Sequence, residues 1–300
     1  MATDAPQKFG IEPPSYQLPE ATRLGRARLQ IADLPRSLTF YEGVLGLRVI
    51  GRPSGGRVVL GPQETDVPLV ELVERPGARA APRRGRLGLF HVALLLPGRG
   101  ALGQFVRHLA EEDVRVGMSD HHVSEAVYLT DPDGLGIEVY ADRPREEWDR
   151  TEEGELAMTT EPLGTEALLN AAPAAPWGGM PAGTTVGHVH LHVGDLDRAE
   201  TFYHETLGLS KTVWSYPGAL FLSAGGYHHH LGTNVWAGDV PPAGEDEAQL
   251  LEWTLALPSA EDVEAAAGSL EAAGYAITRD GEACLTQDPW GTALRIAPVA

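Results

Sequence analysis

Cysteine occurs once, at Cys284, so neither an internal disulfide nor a thiolate metal cluster can be built. Any metal must rest on His, Asp or Glu. A lone thiol fits a reducing compartment and leads us to expect a cytoplasmic protein. Basic residues are scarce, 23 Lys and Arg against 42 Asp and Glu, giving a net charge of -19. Such a chain repels phosphate backbones, which excludes nucleic acid as an expected partner. No apolar run approaches the roughly 18 residues that a membrane span needs. Residues Met1–Glu20 lack the charged, apolar and small-residue succession of a secretory signal, so no membrane association is expected. What the chain does have is 43% apolar and 22% charged residues in short runs punctuated by Gly and Pro, the composition of a folded globular protein.

The chain repeats itself. Asp33–Leu47, DLPRSLTFYEGVLGL, and Asp195–Leu209, DLDRAETFYHETLGL, agree at nine of fifteen positions with an offset of 162. The pair Leu96-Pro97 is answered by Leu257-Pro258, and DPDG at Asp131 by DPWG at Asp288. Each half divides again. An alternating strand pattern at Ala27–Ile31 precedes an amphipathic helix ending at Leu45-Gly46, and strands are expected at Leu47–Gly51, Arg57–Leu60 and Val67–Leu72. The βαβββ order restarts at Leu87–Leu96, with a helix over Leu102–Glu111 and strands near Val114–Gly117, Ala126–Leu129 and Gly136–Tyr140. The expected fold class is α+β: modules at 22–80 and 86–142 in the first half of the chain, 184–238 and 249–298 in the second, with a tail at 1–21 and a connector at 143–183.

Imidazole is the commonest metal ligand and titrates near neutrality, so the 11 histidines are the inventory of interest. His188, His190 and His192 alternate on the third module's first strand, His228–His230 are expected on its last strand, and His121-His122 lie in the second module. His91 opens the second module's first strand and Glu138 lies in its last. If those strands pair, the two side chains converge, and a carboxylate in an apolar strand needs a compensating partner. A metal would provide one. The alternatives are a solvent-facing Glu138 with a hydrogen-bonded core His91, a solvated face for His188–His192, and plain packing for Tyr128.

The motifs DLxRSLxFYxxVLGL and DPDGxGIExY resemble those of the vicinal oxygen chelate superfamily, which curls βαβββ modules into cups around a metal. GGYHHHLG at Gly225–Gly232 and SDHHVSEAVYL at Ser119–Leu129 resemble its type I extradiol dioxygenases of the catechol 2,3-dioxygenase class. The resemblance implies two vicinal oxygen chelate cups of curved mixed sheet with outer helices, and a metal held by two His and one Glu. His188 matches one ligand. In the fourth module Glu252 and Arg295 stand where a His and a Glu belong, and Arg26 occupies the first module's place corresponding to His188. The missing pair is in module two, as His91 and Glu138. The expected architecture therefore joins module two to three, and one to four, which completes the set in one cup and leaves the other blind.

The resemblance further implies Fe(II), with Mn(II) as the alternative, and catechol and O2 as substrates in the catabolism of aromatic compounds. A facial triad leaves three adjacent positions open, enough for a bidentate catecholate and O2. His229 corresponds to the base, His121 to an acid or hydrogen-bond donor beside the metal ligands, and Tyr128 to a holder of the substrate oxygen, with His122 the less favoured neighbour. Two other readings share the scaffold: a glyoxalase-like lyase or isomerase with His228 or His230 as a fourth ligand, and a bleomycin-resistance-type binding protein without catalysis. A homo-oligomer is left open by the sequence.

Overall fold

The computed structural model describes residues 10–82 and 85–299, so the start of the expected tail, residues 1–9, lies outside the described residues. Module one comprises β1 (Arg23–Ile31), α1 (Leu34–Leu38) continuing into a π-helical turn at Thr39–Val44, β2 (Arg48–Gly51), β3 (Arg57–Gly61) and β4 (Val70–Glu74). Module two comprises β5 (Gly88–Leu95), α2 (Arg99–Glu111), β6 (Gly117–Asp120), β7 (Ser124–Thr130) and β8 (Gly136–Asp142). After α3 (Thr165–Ala171) in the connector, module three runs β9 (Thr185–His192), α4 (Leu196–Ala199) with a π-helical turn at Glu200–Thr206, β10 (Ser210–Val213), β11 (Ala219–Ser223) and β12 (Leu231–Asn234). Module four is β13 (Gln249–Leu257), α5 (Ala260–Ala272), β14 (Thr278–Asp280), β15 (Ala283–Gln287) and β16 (Ala293–Pro298).

The repeated motif forms its helix for a local reason. Asp33 and Asp195 each cap a helix N-terminus, accepting from the backbone N–H three residues on at 2.8 Å. Some expected ends move. Pro68 has no N–H to give a ladder, so the strand anticipated at Val67–Leu72 is β4, Val70–Glu74. Val114–Val116 carry the chain back from the C-terminus of α2, and β6 begins only at Gly117. The triple histidine is not in a strand either. Gly225 and Gly226 turn the chain with φ of 60° and 64°, His228–His230 follow as a bend, and β12 starts at Leu231.

Two eight-stranded curved sheets result, β14-β15-β16-β13-β1-β4-β3-β2 and β10-β11-β12-β9-β5-β8-β7-β6. Each sheet draws one module from each half of the chain. Antiparallel pairing of β1 with β13 joins module one to four, and of β5 with β9 joins module two to three. Strand alternation sorts the faces. Val92, Leu94, Ile137, Val139, Val189 and Leu191 enter a continuous apolar cluster that includes residues of all four modules, leaving His91, Glu138 and His188 for the other face.

The two sheets are fastened by the repeated motifs themselves. Tyr41, from module one, donates to Asp131 of module two at 3.1 Å, and Tyr203, from module three, donates to Asp288 of module four at 2.9 Å. The second oxygen of each Asp accepts two backbone N–H groups of its own turn, at 2.8 and 2.9 Å. Each half of the chain therefore bridges both sheets.

The expected tail and connector are built into this body. Ile11 bridges Lys211, Leu18 is buried, and α3 packs on α2 with Leu168 buried. In the sheet of modules one and four the would-be ligand positions hold an ion-pair network: Arg295 meets Glu252 at 3.2 Å, Arg28 reaches Glu252 at 3.7 Å and Glu71 at 3.4 Å, and Arg26 meets Glu71 at 3.2 Å.

Two outcomes follow. Tyr41→Phe should lower stability by about 1–3 kcal/mol, because the buried Asp131 loses a donor; a denaturation midpoint equal to the parent's would refute the fastening role. Arg295→Ala should cost about 1–2 kcal/mol, less than a sole partner would, because Arg28 stays beside Glu252. Metal content in that variant should be unchanged, measured by elemental analysis.

Candidate metal centre

The centre of the second sheet is set by register. Ala93 on β5 lies opposite His188 on β9 and opposite Glu138 on β8, so the three form a row across three strands, with His91 one pleat along on β5. Side chains of a row share a face. Ala93 is fully buried, and its methyl leaves the space between the two longer side chains open. No periodicity in the sequence marks that need for a small residue.

His91 Nε2 lies 2.9 Å from Glu138 Oε2, His188 Nε2 lies 3.2 Å from the same oxygen, and the two Nε2 atoms are 3.3 Å apart. Donors each about 2.1 Å from one ion and at right angles are about 3 Å apart, so these atoms fit one face of an octahedral coordination sphere. Among the described residues this is the one group of three His, Asp, Glu or Cys donors found within 4.8 Å of one another. All three are buried, at 5%, 2% and 2% exposure for His91, Glu138 and His188. Burial opposes the charge on Glu138, but the two imidazoles against it prevail and hold the carboxyl well below its usual range. Burial, partly offset by Glu138, lowers His188 to about 4. Carboxylate and neutral imidazole are the forms a metal ligand must take.

Of the remaining candidates, His229, His121 and Tyr128 line the same cavity, of ≈ 240 Å³. The His229 ring stands 4.1 Å from that of His188, centre to centre. His121 Nδ1–H donates to the Thr159 carbonyl at 2.6 Å, which leaves Nε2 to accept from the Tyr128 hydroxyl, also at 2.6 Å. Burial first, then the nearby Glu138 charge, raises Tyr128 well above the phenol range, so it remains a donor. His122 turns outward and meets Glu161 at 3.5 Å.

The other histidine candidates are engaged by partners outside the triad, although His190 also lines the cavity. Asn234 donates to His190 Nε2 at 2.9 Å and accepts from His192 Nδ1 at 2.7 Å. His230 Nδ1 accepts from the Ala224 N–H at 3.2 Å, and His228 Nε2 donates to Asp142 at 2.9 Å. The solvated-face alternative for His188–His192 does not hold, since all three are buried. Apolar and aromatic side chains also line the cavity: Phe90, Tyr216, Phe221, Trp236 and the connector residue Met158. A larger groove of ≈ 920 Å³ adjoins it, sharing Phe90, His91, Tyr128 and Trp236. Sequence reasoning missed Asn234, Met158 and the Thr159 carbonyl.

Comparison with known proteins places the chain in a family and agrees with the fold. The family model described as Glyoxalase/Bleomycin resistance protein/Dioxygenase superfamily matches residues 23–139 and 185–292. A Bacillus subtilis (strain 168) protein named catechol-2,3-dioxygenase is 43% identical over 273 residues, covering 90% of this chain and 95% of its own. Among solved structures, a Bacillus subtilis protein described as a candidate dioxygenase superposes with a TM-score of 0.63 at 15% identity, covering 94% of this chain and 86% of that one. Glyoxalase I from Zea mays gives 0.54 at 16% identity over 93% and 92% of the two chains. At such identities the structures speak for the fold. By family model and by sequence identity alike, the chain belongs to the Glyoxalase/Bleomycin resistance protein/Dioxygenase superfamily.

Proposed function

We propose that His91, Glu138 and His188 hold one Fe(II), with Mn(II) as the alternative ion, and that the cup performs O2-dependent extradiol cleavage of a catechol or substituted catechol. The observation that carries this reading is the His-His-Glu face, its ligand atoms 2.9 to 3.3 Å apart, opening into a cavity flanked by His229 and by the His121–Tyr128 pair. The 43% identity to a relative named catechol-2,3-dioxygenase supports the same substrate class. When bound, an ion of this kind supplies three adjacent open positions and the electronic coupling between a catecholate and O2.

The chain's own side chains do the rest. His229 takes the proton of a catechol hydroxyl. Tyr128 Oη, its proton given to His121 Nε2, accepts from the second catechol hydroxyl, and His121, fixed by the Thr159 carbonyl, holds that phenol in place. Phe90, Phe221 and Trp236 face the ring and keep bulk water from the reacting atoms. Both oxygen atoms of O2 enter the product as the carbon–carbon bond beside the two hydroxyls breaks. A four-ligand, isomerase-type centre is disfavoured because His228 and His230 are engaged away from the His-Glu-His face. The buried, unpaired Cys284 supports a cytoplasmic setting.

Replacing His91, Glu138 or His188 singly by Ala should strip the bound metal and abolish catechol turnover. Full iron content and activity in His91→Ala would sink the proposed centre. His229→Gln should keep iron and still bind catechol under anaerobic conditions, yet turn over roughly 10²- to 10⁴-fold more slowly. If that variant loses its iron together with its activity, His229 is a ligand and the dioxygenase assignment of roles fails.

A further inference from the structure

Behind His229, on the side away from the cavity, runs a line of polar contacts that the chemistry above leaves unused. Asp142 ends β8, four residues beyond Glu138. Its Oδ1 accepts from His228 Nε2 at 2.9 Å and from the Tyr227 hydroxyl at 3.1 Å. The His228 ring is fully buried, tilted at 4.1 Å against Tyr227 and edge-on at 5.4 Å to Trp148. Its other nitrogen, Nδ1, lies 2.7 Å from Nδ1 of His229.

Hydrogen-bond chemistry orders the protons along this line. A carboxylate only accepts, so the bond to Asp142 places the His228 proton on Nε2. A neutral imidazole carries one N–H, which makes His228 Nδ1 an acceptor. The short contact to His229 then requires the proton on His229 Nδ1. Across the ring, His229 Nε2 is left with a bare lone pair, the form that a base needs.

We propose that Asp142 and His228 are positioning residues that hold His229 as its Nδ1–H tautomer, with the Nε2 lone pair presented to the substrate hydroxyl. This rests on the reading of His229 as the base. Neither residue touches the substrate; each acts through the next imidazole, as a buried carboxylate does when it orients a catalytic histidine. The arrangement mirrors the far side of the cavity, where the Thr159 carbonyl fixes His121 in the same tautomer.

Nitrogen-15 NMR of the histidine rings in the full chain loaded with diamagnetic Zn(II) reads the tautomers without turnover, the His229 signals being assigned by their absence in His229→Gln. In the parent, His229 should carry its proton on Nδ1. Asp142→Asn sets an amide donor against His228 and should move the His229 proton to Nε2. With iron and catechol, that variant should lose about 10²- to 10⁴-fold in kcat, with KM and iron content kept. Asp142→Glu should restore most of the rate, and Tyr227→Phe, which removes the other bond to Asp142, should stay near the parent. An unmoved His229 proton in Asp142→Asn, or a parental kcat there, overturns the proposal. If the parent turns over no catechol, the dioxygenase reading has failed, and the NMR result alone decides the positioning role.

Discussion

Everything at the centre depends on one antiparallel strand pair formed between distant parts of the chain. His91 and His188 are 97 residues apart, and only the β5–β9 ladder brings their rings together. A slip of one residue in that ladder would turn every side chain to the other face, sending Val92 and Val189 into the cup and the histidines into the apolar cluster. Burial of those valines penalises any such slip. The same apolar packing that stabilises the sheet thus sets the coordinates of the site.

The exchange of modules between halves explains why such a long-range pair is secure. Were each half to close on itself, a single linker would be all that held two independent bodies. Here both sheets contain strands from both halves, and each half sends a tyrosine across to the other sheet's turn, Tyr41 to Asp131 and Tyr203 to Asp288. The motifs that reveal the duplication are the ones that fasten it. They reveal little about chemistry, because a buried Tyr–Asp bond serves a cup of any function.

Comparing the two sheets isolates what the chemistry needs. Both bury carboxylates, and a buried carboxylate demands positive compensation. In the sheet of modules one and four, Arg26, Arg28 and Arg295 supply it, and Glu71 and Glu252 are balanced within the protein. In the sheet of modules two and three no arginine among the described residues meets Glu138, which lies against the imidazoles of His91 and His188. One copy of the design carries its own cations. The other leaves that role to the metal ion proposed for it. This contrast was legible in the sequence, since Arg26, Glu252 and Arg295 stand where His188, His91 and Glu138 stand in the other modules. The order of the modules and the helix caps were equally plain, because they depend on local spacing. Other features depend on what meets across space. The small volume at Ala93 has meaning only once His188 and Glu138 flank it. Residues 156–160 look like an unpatterned linker until Leu156 docks on Thr212 and the Thr159 carbonyl reaches His121. The histidine triplet was misread as strand because its two preceding glycines adopt positive φ and delay the ladder.

Proton placement is the last level, and it lies furthest from the sequence. Two imidazoles flank the cavity, and each has its Nδ1 proton fixed from behind: His121 by a backbone carbonyl of the connector, and His229 by the chain of His228 and Asp142. Both present Nε2 inward, yet their surroundings give them different tasks. His121 Nε2 already accepts from Tyr128, so what faces the substrate on that side is a phenol that stays protonated. His229 Nε2 is turned toward the cavity with its lone pair free. On the proposed reading, a diol entering between them meets a base on one side and, on the other, a phenol oxygen whose proton is committed to His121 and which accepts, so its two hydroxyls are treated differently from the moment of binding. That asymmetry belongs to the protein, because residues outside the His-Glu-His face set it.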